Sequence, residues 1–325
     1  LDIAALLKPL NFHLQQVEAI LEEASSLEYQ PVGEAVLSLL KAGGKRLRPA
    51  LLITSAMFGE FDPDKVYPSA AAIELLHTAT LVHDDTLDGS TMRRGVPTLN
   101  SMVSDGVAIL VGDYLFARAA VLSTRARNVR AVEIFAQVLA TICHGELGQL
   151  FGMHGWNQSL ESYHRRIYSK TASLFAAAAE IGAVVASLDE GWITVLKEYG
   201  TNLGMAFQIV DDLLDLSPSD ITGKPVGNDL RQGTVTLPTM IFLQSEEVPQ
   251  EQKNFVKDVL SGYRVSEDEV LRCVEIVASS SAVEKSRTEA VKFVEKARAG
   301  LANLPQGQAW DILNGLLDYA VNRSH

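Results

Sequence analysis

Cysteine is nearly absent. Cys143 and Cys273 are the only two in 325 residues, too few for a disulfide framework or a cysteine-rich metal site. Both fall in helical patterns, so buried free thiols and a reducing compartment are predicted. Cations are also in deficit, with Lys and Arg totalling 28 against 40 Asp and Glu, a formal net charge of -12. A nucleic-acid binder normally carries a basic stripe, and this balance argues against one. It does not argue against an anionic substrate, because local cation clusters and metals decide that. Period-two alternation is almost missing, which leaves little room for sheet. No uninterrupted apolar run is long enough for a membrane span, and no signal peptide is visible. No fixed-period repeat and no Pro/Ser-rich linker divides the chain. The expectation is a single domain over residues 1–325, without a transmembrane segment. Its expected location is cytoplasmic, or organellar if a transit peptide has been removed ahead of Leu1.

What is present is helical periodicity throughout, which predicts an all-α fold with helices packed round a central cavity. The chain is organised around Leu75 to Asp88, LLHTATLVHDDTLD. On a helix Asp84 and Asp88 share one face a turn apart, with Asp85 beside them. Like charges at this spacing repel. A hard divalent cation offsets them, and Mg²⁺ favours one or two carboxylates plus phosphate oxygens and water. A second copy, QIVDDLLD from Gln208 to Asp215, places Asp211, Asp212 and Asp215 at the same relative positions. One such motif reads as a solvated helix end. Two of them, each closing an apolar helix, point to metal.

The first motif's helix is predicted to start at Tyr67-Pro68-Ser69, with Pro68 in its first turn. Other clusters leave two readings open. Gly43-Gly44-Lys45-Arg46-Leu47-Arg48-Pro49 is either a basic loop favoured by a helix C-terminus or an anion site that backbone can approach closely. Arg93 and Arg94 follow the first aspartates, either as charge balance or as bidentate phosphate ligands. Lys170 precedes a run of apolar residues and is either a snorkelling side chain or a substrate contact. His77 sits in an apolar helix, where a hydrogen-bonded core residue is the commoner finding.

GGKRLRP, HTATLVHDDTLD, MRRG, GELGQL, KTASLF, QIVDDLLD and GKPVGNDL occur in one order between about Gly33 and Pro238. In this the chain resembles the (E)-polyprenyl diphosphate synthases, the trans-isoprenyl transferase family. The resemblance implies the isoprenoid synthase fold and condensation of isopentenyl diphosphate with an allylic diphosphate. It implies about three Mg²⁺ held by Asp84, Asp85, Asp88 and Asp211, with Asp212 and Asp215 nearby. It assigns Lys45, Arg48, His77 and Arg94 to the isopentenyl diphosphate. Arg93, Lys170, Gln208 and Lys224 go to the allylic diphosphate, and Thr171 and Gln149 lie near the reacting carbons. A homodimer is usual in the family.

Two positions depart from the pattern. Gly233-Thr234 stands where many relatives place a Lys, and Asn228 where a second acidic residue is common. Product length is expected to follow from the first motif's helix, along which the growing tail runs towards the N-terminus. Ala79 and Thr80 form the first wall and are small, while Leu76, Ile73 and Ala72 lie deeper, each turn adding about 5 Å. Ile109, Val111 and Phe116 are expected to face them. A product of roughly six to ten isoprene units is therefore expected, by resemblance and by this geometry. The alternatives are a medium-chain geranylgeranyl or geranylfarnesyl diphosphate synthase, and a subunit of a heteromeric synthase. Non-catalytic subunits usually lose an aspartate motif, and type I terpene cyclases carry a different second motif and no GGKRLRP; this chain has both motifs and GGKRLRP.

Overall fold

The structure is a computed structural model describing residues 2–30, 32–42, 44–93, 95–152, 158–217, 226–264 and 266–323. Helices account for almost all of it: α1 (Asn11–Ala24), α2 (Val32–Lys41), α3 (Leu47–Ala56), α4 (Pro63–Leu87), α5 (Asp105–Thr124), α6 (Val129–Gly152) and α7 (Leu160–Ile167). A π-helical turn at Tyr168–Ala172 leads into α8 (Ser173–Val185), followed by α9 (Glu190–Leu214) and α10 (Leu237–Gln244). The C-terminal helices are α11 (Gln250–Leu260), α12 (Glu267–Ala278), α13 (Ala282–Leu301) and α14 (Gln308–Asn322). Among the described residues the sheet is a single two-residue pairing, Met92–Arg93 antiparallel to Val96–Pro97.

Helix α4 is buried on most of its circumference, from Val66 through Asp85. Its small residues Ser69, Ala70, Ala71 and Ala72 let neighbours pack close on several sides, as an all-round apolar helix requires. It packs along α5 and touches α1, α3 and α8. The helix starts at Pro63, earlier than the predicted Tyr67. Asp62 is the N-cap, accepting from the Asp64 backbone N–H at 3.0 Å, and Pro63 takes the first position. Asp62-Pro63 is thus the start signal, while Pro68 sits inside the helix and forgoes one backbone bond.

Two apolar clusters form the core, and α9 belongs to both. Its N-terminal part, Ile193 to Leu203, packs in the cluster shared with α1 through α6, α8 and α14. Its C-terminal part, with Met205, Ile209 and Val210, packs against α7 and α10 through α13. The end of α9 is therefore gripped from two sides, and the second aspartate motif sits there.

One sequence expectation is corrected. Cys143 is exposed, because it lies on the outer face of α6; Cys273 is buried, and burial pushes its thiol up to about 12. Helix α5 is long and apolar enough to cross a membrane by length and composition. Its inner face, with Ala108, Val111, Leu115, Ala119 and Leu122, is buried in the core, which accounts for much of that apolarity.

The crossing of α3 and α8 depends on Gly182. A Cβ there would stand 2.2 Å from the Leu52 carbonyl oxygen and 3.0 Å from the Ser55 Cβ. A backbone carbonyl inside a helix cannot yield, so Gly182→Ala is expected to destabilise by about 1–3 kcal/mol. Urea unfolding checks this: the midpoint should fall, and an unchanged midpoint would show that the two helices are free to separate.

Candidate active site

The aspartate motifs close the C-terminal ends of α4 and α9, where the unsatisfied carbonyls already carry partial negative charge. Each end therefore concentrates negative charge that the helix itself repels. The first motif is served by two cations. Arg93, on the short hairpin, donates from Nε to both Asp85 oxygens at 2.8 Å, and its Nη2 lies 2.7 Å from Oδ1. Asp85 is 3% exposed, so this pairing is what makes its burial tolerable. Lys170 stands 3.6 Å from Asp84 Oδ2 and 3.0 Å from Glu146 Oε1. Burial opposes its charge, but Asp84 and Glu146 outweigh burial and hold its pKa above the ordinary lysine value. Among the described residues Asp88 has no direct cation. Partial burial and the like charges of Asp84 and Asp85 raise its pKa, with Lys170 only partly offsetting them.

The second motif divides its carboxylates differently. Asp215 accepts backbone N–H groups from Asn228 and Asp229, both at 3.0 Å, which pins the helical turn Asn228–Arg231 against α9. Asp212 is buried and accepts from Tyr163 Oη at 2.7 Å and Gln208 Nε2 at 2.9 Å. Gln208 Oε1 in turn accepts from the Thr171 hydroxyl at 2.6 Å. Burial raises Asp212 to about 6 against these stabilising bonds. Asp211 is half exposed, with Arg323 Nη2 at 3.4 Å. Arg323 is itself buried, stacked 3.5 Å over the Phe207 ring and donating to the Phe207 carbonyl at 2.5 Å. Burial lowers its pKa.

Backbone irregularity places the intervening groups. Lys170 and Thr171 lie on the π-helical turn between α7 and α8, a distortion common where a helix must aim side chains at a site. Gly204 permits it, since a Cβ there would stand 2.5 Å from the Ala172 Cα. In the basic loop Arg46 adopts a left-handed conformation with φ 51. Its guanidinium turns inward to Glu18, to Glu74 Oε1 at 2.9 Å and to the Leu40 carbonyl at 2.8 Å. Lys45 donates to Tyr319 Oη at 2.5 Å, and Arg48 stacks 4.7 Å over Phe175. His77 lines a small recess together with Arg46, Glu74, Thr78 and Arg93.

Of the residues singled out from sequence, Asp84, Asp85, Asp88, Arg93 and Lys170 are joined in one network, and Thr171, Gln208 and Asp212 in another. Arg94 and Lys224 lie outside the described residues. Glu146, Tyr163, Arg323 and the inward role of Arg46 were not read from sequence. GELGQL offered the only local signal for Glu146; the others meet partners far along the chain. Ile109 was expected to face the tail but is exposed, and it is its carbonyl that meets His83 at 3.1 Å.

A divalent cation fits the donors present. Among the described residues no three acidic, histidine or cysteine side chains converge closely enough to enclose an ion unaided. Asp84, Asp88 and Asp211 nevertheless keep oxygens available. That suits a cation bound by one or two carboxylates per side and completed by substrate oxygens.

The sequence profile described as polyprenyl synthetase matches residues 30–277. This chain belongs to that family. It is therefore a prenyltransferase with an all-α isoprenoid synthase fold. It is 37% identical to heptaprenyl diphosphate synthase component 2 of Geobacillus stearothermophilus, over the whole of both chains. It is 34% identical to octaprenyl diphosphate synthase of Escherichia coli K12, covering 94% of each. The crystal structure of a polyprenyl synthase from Caulobacter crescentus CB15, complexed with calcium and isoprenyl diphosphate, superposes with a TM-score of 0.93 at 34% identity, covering 100% and 98% of the two chains. Use of a divalent metal in the family accords with the carboxylates left open here.

The raised pKa of Asp212 has a sign that can be checked. A carboxyl whose folded pKa lies near 6, against an ordinary 3.8, costs the metal-free fold nothing below about pH 4 and its full penalty above about pH 6. Asp212→Asn removes that titration. The stability of wild type relative to this variant should therefore fall between about pH 4 and pH 6 and level off above. Denaturant midpoints of both metal-free proteins test it; a constant difference would mean that Asp212 ionises normally.

Proposed function

We propose that this prenyltransferase condenses isopentenyl diphosphate with an allylic diphosphate, repeatedly, to a long-chain all-trans polyprenyl diphosphate. The observation that carries the reading is the pair of carboxylate helix ends, Asp84 and Asp88 closing α4 with Lys170 at 3.6 Å from Asp84 Oδ2, and Asp211 in the last turn of α9. Ionising a C–O bond leaves negative charge on the departing diphosphate and an allylic cation on carbon. The first needs cations and metals, the second needs dipoles that cannot attack it and a site closed to water.

We assign the metal to Asp84, Asp88 and Asp211, with Mg²⁺ as the ion and about three per site by family resemblance. When bound it neutralises the diphosphate oxygens as they gain charge. Lys170 holds the allylic diphosphate from the side of α8. Lys45, Arg48 and His77 bind isopentenyl diphosphate, with Arg94 assigned by resemblance. Thr171 and Gln208 present oxygen dipoles near the reacting carbon. The released diphosphate takes the final proton, so no separate base is required.

Long-chain products are supported by the names of the relatives and by the wall of α4. Thr80 lies one turn before Asp84 on the same face and is partly exposed, whereas Ala79 is fully buried one turn before His83, whose ring packs on Phe116 of α5 at 5.1 Å. Thr80 therefore faces the tail more directly, and Ala79 belongs to the α4–α5 seam. Leu76 and Ile73 continue the wall inward. The apolar outer faces of α5 and α6, with Leu110 68%, Val121 51% and Leu147 53% exposed, support a homodimer. The component 2 relatives support a second reading, in which a different subunit is needed for full activity.

Purified protein with Mg²⁺, farnesyl diphosphate and excess isopentenyl diphosphate should by itself yield a product of roughly six to ten units, room for the tail growing by about 5 Å per helical turn. No elongation without a second subunit would favour the heteromeric reading. Asp84→Ala or Asp211→Ala should lower kcat at least ~10²-fold, while near-normal turnover in the folded variants would refute the metal assignment. Lys45→Ala or Arg48→Ala should raise KM for isopentenyl diphosphate more than for the allylic substrate. Thr80→Phe should stop the product at about three or four units, because a packed wall does not absorb a ring. Ala79→Tyr should also shorten it, with a loss of stability that Thr80→Phe lacks. Full-length product from Thr80→Phe would place the tail elsewhere.

A further inference from the structure

Tyr163 lies on α7, fully buried, and belongs to none of the groups that meet substrate. Its hydroxyl donates to Asp212 Oδ2 at 2.7 Å. The other Asp212 oxygen accepts from Gln208 Nε2 at 2.9 Å, and Gln208 Oε1 accepts from Thr171 Oγ1 at 2.6 Å. The order of donors along this chain is forced. An ionised carboxylate only accepts, so both of its partners must donate. Gln208 must then give its amide N–H to Asp212 and turn its carbonyl oxygen to Thr171. Thr171 must spend its single proton on that oxygen. The lone pairs of Thr171 are thereby left without a proton of their own, one residue from Lys170, which reaches Asp84. A hydroxyl free to rotate would present its proton to the site as often as its lone pairs, and its dipole would then oppose a forming cation.

The same bonds set Asp212 apart from Asp211. Asp212 is 5% exposed with both oxygens engaged, whereas Asp211 is half exposed at the rim. The adjacent aspartates of the second motif thus have different tasks, one at the metal rim and one as the anchor of a dipole relay.

We propose that Tyr163 is a positioning residue for prenyl transfer, acting through Asp212 to hold Gln208 and Thr171 with their oxygens towards the carbon that loses diphosphate. This rests on the prenyltransferase reading above. Removing the Tyr163 hydroxyl leaves a buried carboxylate oxygen without its donor, which is costly in the interior. Asp212 is then free to rotate about its side chain, and the order of donors downstream is lost.

The test is steady-state kinetics on Tyr163→Phe, Asp212→Asn and the double variant, with folding checked by circular dichroism. Asp212→Asn puts one acceptor and one donor where the carboxylate had two acceptors, so the Gln208 amide is no longer held in a single direction. Tyr163→Phe is expected to lower kcat about tenfold, the scale of a misaimed stabilising group. KM for both diphosphates should stay within about twofold, since the diphosphate cations are untouched. Because Tyr163 acts through Asp212, adding Tyr163→Phe to Asp212→Asn should cost nothing further. A kcat within twofold of wild type, a loss confined to KM, or losses that multiply in the double variant would each overturn the proposal. If Tyr163→Phe does not fold, the Mg²⁺ dependence of Asp212→Asn decides: a kcat loss at an unchanged Mg²⁺ requirement supports the relay, whereas normal kcat, or a loss that excess Mg²⁺ restores, overturns it. Wild-type protein that fails to elongate any allylic diphosphate would instead defeat the prenyltransferase reading, so the two failures are distinguishable.

Discussion

Six carboxylates stand at two helix C-termini, and among the described residues the cations beside them do not neutralise them all; the site is built around that shortage. The helix ends add partial negative charge of their own. Arg93 settles Asp85, backbone N–H groups settle Asp215, and Tyr163 with Gln208 settles Asp212. Asp84 shares Lys170 with Glu146, Asp211 has Arg323 at 3.4 Å, and among the described residues Asp88 has no direct cation. The carboxylates left short of charge are those at the rim. A hard divalent cation together with a diphosphate completes such a rim, and neither component alone does so as well.

The helices hold this repulsive arrangement by packing. Helix α4 is fixed by buried small residues on several sides, and α9 is gripped by two apolar clusters. Helix α14 ties the two halves of the site together. Tyr319 meets Lys45 of the basic loop, and Arg323, one turn later, meets Asp211. The Arg46 guanidinium, buried against Glu74 and Glu18, anchors the same loop from beneath. Its left-handed backbone leaves Lys45 and Arg48 to make contacts apart from that anchor.

The all-α fold and the two metal motifs were legible because helical periodicity and i, i+4 spacing are local properties. The start of α4 was not, since Pro63 and Pro68 carry the same signal and only the Asp62 cap distinguishes them. Exposure of Cys143 depends on which face of α6 the neighbours cover. Which aspartates are already engaged was also hidden. Tyr163 is 49 residues from Asp212, and Arg323 is 116 residues from Phe207. Such partners share no spacing rule, and only the packing of α7 and α14 beside α9 brings them together.

Calorimetric titration of Mg²⁺, with and without inorganic diphosphate, tests the central claim most directly. With no three side chains among the described residues enclosing an ion, Mg²⁺ should bind weakly alone and much more tightly once diphosphate is present. Diphosphate should gain affinity from Mg²⁺ by the same factor, as linkage requires. Equal Mg²⁺ affinity with and without diphosphate would contradict a site completed jointly by metal and substrate.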